Sequence, residues 1–87
     1  MKAIFEAAAR EKKVQALVAT LDARAVKSDI DPHRNADRIA ELLATFRSDH
    51  WLTIARLSNV RPPSNTTVAA IMAIYRARAQ QRKSSAA

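Results

Sequence analysis

Four stretches of the chain repeat their apolar residues with helical spacing. In the first, Ile4, Ala7, Glu11, Val14, Val18, Leu21 and Ala25 fall at alternating intervals of three and four; Leu17 widens this face and Glu11 interrupts it. The pattern predicts a helix from about Ala3 to Val26. Lys27 to Ile30 reads as a connection, and Asp31-Pro32 as an N-cap followed by proline at the first helical position. A second helix is predicted from Pro32 to about Arg47, with Ile39, Leu42, Leu43 and Phe46 as its core stripe. Ser48 then reads as the cap of a short third helix whose apolar residues are Trp51, Leu52, Ile54, Ala55 and Leu57. It should stop near Asn59, which tolerates left-handed backbone, because Arg61-Pro62-Pro63 forbids continuation. The fourth helix starts at Ser64, Asn65 or Thr66, all good caps. It carries Val68, Ile71, Met72, Tyr75 and Ala79 on one face and should fray after Arg82.

The expected fold is therefore all-α: a compact bundle of about four helices in one domain over residues 1–83, with a disordered tail at 84–87. The composition agrees. Among 87 residues there is no glycine and no cysteine. Without glycine there is no Walker loop, dinucleotide fingerprint or nucleophile elbow, since each needs backbone to approach phosphate or turn sharply. Without cysteine there is no disulfide and no thiolate metal site. No run of 18 apolar residues is present, so no membrane span is expected. Glu6 breaks any signal-like apolar run, and the expected location is cytoplasmic. The long first helix of so small a protein also suggests a homodimer packed through residues 3–26.

Charge changes the picture more than composition does. The net charge is +7, and every acidic residue lies at or before Asp49. Residues 1–49 hold nine basic and eight acidic side chains; residues 50–87 hold six basic and none acidic. Such asymmetry suggests an anionic partner for the second half, and nucleic acid is the usual one because each neutralised phosphate releases counterions. Catalytic and metal chemistry have little support. His33 and His50 are 17 residues apart, without metal-pair spacing, and no carboxylate pair is placed for acid–base work. Arg34, Asp37, Arg38 and Glu41 read as solvated surface pairs. Trp51 and Tyr75 sit on apolar stripes and read as core. No cofactor and no enzymatic activity are expected.

Ile54-Ala55-Arg56-Leu57-Ser58-Asn59-Val60, followed by Thr67-Val68-Ala69-Ala70-Ile71, resembles helix-turn-helix DNA-binding segments over residues 51–78. The turn, which contains Arg61-Pro62-Pro63-Ser64, is about three residues longer than in the compact motif. The resemblance makes Ala55 the small residue that admits the second helix, Asn59 the turn residue and Val60 the apolar residue after it. It implies a small transcriptional regulator whose fourth helix enters the major groove of double-stranded DNA. Asn65, Thr66 and Thr67 would lie near base edges. Arg56, Arg61, Arg76, Arg78, Arg82 and Lys83 would meet phosphates. The alternative is a small helical inhibitor or adaptor, such as a phage-encoded anti-CRISPR or anti-activator, that docks its basic face on an acidic or nucleic-acid-binding surface of a partner protein. Membrane-surface binding by the fourth helix is not expected, because Ile71, Met72 and Tyr75 are needed for the core.

Overall fold

The computed structural model describes residues 10–86, with side chains through Arg82. Four helices form an all-α bundle: α1 (Lys12–Lys27), α2 (Ala36–Ala44), α3 (Ser48–Ser58) and α4 (Asn65–Ala86). Among the described residues there is no strand.

The start of α1 differs from expectation. Arg10 and Glu11 are not helical, and Glu11 is extended at φ −65°, ψ 142°. This pair has no apolar side chain to bury, so no packing holds the backbone helical there. The expected helix before Arg10 lies outside the described residues. From Val14 onward the stripe behaves as read: Val14, Leu17, Val18 and Leu21 are buried in the chain's own core. Burial of side chains this size stabilises by about 1.5–3 kcal/mol each. The stripe that suggested a second copy is thus already covered within one chain over Lys12–Lys27.

Two helices end by the same device. At the end of α3 the Val60 N–H donates to the Ala55 carbonyl and the Asn59 N–H to that of Arg56. At the end of α1 the Ile30 N–H donates to Ala25 and the Asp29 N–H to Val26. Both are Schellman closures, which need a left-handed residue after the last turn. Asn59 (φ 57°) and Asp29 (φ 61°) supply it in a chain without glycine. These short polar side chains tolerate that region best after glycine. Val60 and Ile30, the residues that follow, pack half-buried on the core.

The Asp31 cap forms, but it closes a turn. Its carboxylate accepts the His33 and Arg34 N–H groups at 2.8 and 3.0 Å. These backbone bonds hold its carboxyl below the ordinary aspartate range. Residues 32–35 make that turn, Asn35 departs from helical backbone (φ −111°, ψ 31°), and α2 proper begins at Ala36. α2 ends at Ala44, so Phe46, expected on its stripe, lies beyond it and is half-buried; α2 buries Ile39 and Leu43 while Leu42, expected in the core, is 47% exposed. Ser48, expected as a cap, is instead the first residue of α3; the Arg47 N–H there is satisfied by Nδ1 of His50 at 3.0 Å. Leu52 and Leu57, expected among the apolar residues of α3, also face outward. Ser64 does cap α4: its Oγ accepts the Thr67 N–H at 3.3 Å. That helix continues past Arg82 to Ala86.

α1 packs against α3 and α4, and α2 packs against α4. The hydroxyls of Thr20 and Ser58 lie 2.6 Å apart and link α1 to α3. Tyr75, Leu17, Ile71 and Val14 are the largest fully buried side chains.

Candidate nucleic-acid interface

The segment from Trp51 to Arg78 contains a short helix, a turn and a longer helix, in the expected order. Residues 61–64 between α3 and α4 are non-helical. Pro62 and Pro63 lack N–H groups and fix φ, so they hold the two helices apart. Each helix packs on α1 instead of along the other, and their backbones make no close approach. The small side chain of Ala55 is buried in the common core.

The site residues read from the sequence separate into three groups. Arg56, Arg61, Asn65, Thr66, Arg76 and Arg82 are exposed. Among the described residues none of the four arginines in this group has a carboxylate within ion-pair distance. Asn65 and Thr66 occupy the first turn of α4, and Arg76 shares their outward side of the helix, where half-exposed Ala69 and exposed Ala73 lie between them. Lys83 lies on α4, but its side chain is outside the described residues.

Thr67 and Arg78 must be removed from the interface. Thr67 is 5% exposed, and its hydroxyl lies 3.1 Å from Ser64 Oγ at the helix cap. It sits on the inner side of the first turn, out of reach of a base edge. Arg78 turns inward to Asp22 of α1: its two terminal nitrogens donate to Oδ1 and Oδ2 at 3.0 and 3.1 Å. This is the bidentate fork that guanidinium geometry favours. Tyr75 completes the group, donating its hydroxyl to Asp22 Oδ1 at 2.6 Å under the Arg78 guanidinium, which lies 4.9 Å from the ring centre. Burial, then the bonded Asp22 carboxylate, pushes the Tyr75 hydroxyl far above its ordinary range. Burial opposes the charge of Arg78, but the hydrogen bond and charge of Asp22 outweigh it and hold the guanidinium above its ordinary value. The triad is structural: it consumes a cation that the sequence assigned to phosphate.

Comparison with family models, curated proteins and solved structures returned no match.

Sequence reasoning also missed a cation. Arg34, read as one member of a solvated pair, has no ion pair among the described residues. Nor do Asp37, Arg38 and Glu41 pair with it or with one another. Arg34 instead lines a shallow concavity with Asp31, His33, Arg78, Gln81 and Arg82, so the turn after Asp31 brings both a guanidinium and a carboxylate beside the last turns of α4. No sequence signal marks this, because the neighbours are nearly fifty positions apart. Among the described residues no three His, Asp or Glu side chains gather to hold a metal ion.

Proposed function

We propose that the protein binds double-stranded DNA as a small transcriptional regulator in the cytoplasm, with α4 facing the groove as the resemblance implies although α3 does not pack against it. The supporting observation is the set of exposed arginines (Arg56, Arg61, Arg76 and Arg82) that have no acidic partner among the described residues, within a stretch that holds no acid from His50 to Ala87. An arginine with no protein carboxylate to satisfy it gains most from phosphate. Asn65 and Thr66, exposed on the first turn of α4, are the side chains placed to meet base edges, and asparagine pairs with adenine in the major groove. The alanines between them and Arg76 offer only methyl contacts, so affinity rests on the backbone and discrimination is modest. A dimer would supply a second half-site.

The test is fluorescence anisotropy with a short mixed-sequence duplex at two salt concentrations. Affinity should fall steeply as salt rises, and Arg76→Ala and Arg82→Ala should each lower the logarithmic salt slope by about one. No binding at the lower salt concentration refutes the reading.

The small-residue outer side of α4 supports one alternative, a protein-binding inhibitor or adaptor whose partner presents an acidic surface. Nuclease-insensitive recovery of a single partner, together with no binding to duplex, would select it.

A further inference from the structure

Several apolar residues only half-covered by the core gather in one place. Phe46, Val68 and Met72, together with buried Trp51, wall a cleft of about 360 Å³. It lies between the end of α2 and the starts of α3 and α4. The Phe46 ring meets Trp51 edge to face at 5.2 Å and the tilted His50 ring at the same distance, and Phe46 and Trp51 give the cleft an aromatic wall. Met72 gives the wall a polarisable side chain that reshapes around a guest.

The polar rim has one sign. Arg47 is exposed on it and has no carboxylate partner among the described residues. No acidic residue lines the cleft. Ser48 and Asn65, the first residues of α3 and α4, also line it, so the positive ends of two helices add to the field of Arg47. The volume is at the low end for small-molecule sites, enough for a one-ring ligand.

We propose that this cleft binds a small aryl carboxylate, its ring against Phe46, Trp51 and Met72 and its carboxylate on Arg47. The site shares Asn65 on its rim with the proposed DNA interface, but it rests on the cleft's own walls and on Arg47, which lies outside that interface.

Trp51 is the only tryptophan and it lines the cleft, so its fluorescence reports a ligand bound there while the chain stays folded. The full chain is titrated with 3-phenylpropionate, its neutral amide and 3-phenylpropylammonium, all transparent at the tryptophan excitation wavelength. The carboxylate should shift Trp51 emission saturably and bind about fivefold more tightly than the amide, as suits a partly exposed ion pair. The ammonium should bind most weakly. Arg47→Gln should erase the preference for the carboxylate over the amide, and Arg47→Glu should reverse the order of the charged ligands. The Arg47 side chain is exposed, so neither change disturbs the core. An unresponsive Trp51, equal affinity for all three ligands, or a preference unchanged by both substitutions overturns the proposal.

Discussion

Replacing Asp22 with alanine tests the link that ties α4 to α1. The carboxylate accepts three hydrogen bonds, at 2.6 Å from Tyr75 and at 3.0 and 3.1 Å from Arg78. Its loss leaves the Tyr75 hydroxyl, on a residue with no solvent exposure, with only the Val18 carbonyl at 3.5 Å. It also leaves the Arg78 cation unpaired at 19% side-chain exposure, where Asp22 itself is at 24%. Removing one partner of a fully buried pair costs about 3–5 kcal/mol, because the other charge is stranded. A fully exposed pair contributes about 0.2–1 kcal/mol. This pair lies between those limits and nearer the first, so Asp22→Ala should cost about 2–3 kcal/mol. A chain of this length has a total stability of roughly 4–13 kcal/mol, so the loss is a large fraction of it. The midpoint of thermal unfolding should fall by about 10–20 °C. Urea unfolding followed by Trp51 fluorescence and by far-ultraviolet circular dichroism measures it, with the slope unchanged if only stability is altered. A double-mutant cycle with Arg78→Ala should return a coupling of about 1.5 kcal/mol. A cost below about 0.5 kcal/mol, or additivity of the two substitutions, refutes the assignment of Arg78 to the fold.

Three further outcomes follow from the same structure. Asn59→Gly should raise stability by a few tenths to about 1 kcal/mol and Asn59→Ala should lower it, since the position needs left-handed backbone; equal midpoints for the two variants would refute the Schellman assignment. Leu17→Ala opens a cavity at a fully buried site and should cost about 2–5 kcal/mol by denaturant unfolding, whereas Leu42→Ala on the outward face should cost under about 1 kcal/mol. The Asp31 carboxyl is held below its ordinary value by the Arg34 and His33 N–H groups, so its cap contribution is complete above the unfolded-state value of 3.8 and fades as pH falls through the lower folded value. Carbon-detected NMR titration should place its midpoint under 3.8, and a midpoint at or above that value would refute the cap.

What the sequence determined by itself is the local part of the structure. Helical spacing of apolar residues, the Ser64 cap, the Asn59 stop and the Pro62-Pro63 break all act within one or two turns, and α3 and the start of α4 lie where they were read. The absence of glycine and the acid-free second half are properties of the chain whatever its fold. Local reading erred where flanking residues have nothing to bury, as at Arg10-Glu11, and where a capped turn need not grow into a helix, as at residues 32–35. The tertiary structure alone decided which charges are free. Arg78 and Asp22 are 56 positions apart, and no periodicity tells an arginine that will find a carboxylate from one that will not. The same holds for Thr67, drawn inward to its cap, for Arg34, brought beside Arg82, and for the cleft that Phe46 shares with Met72. Spacing along a helix sets which side chains share a side, but only the packing of one helix on another sets which of those sides meets water.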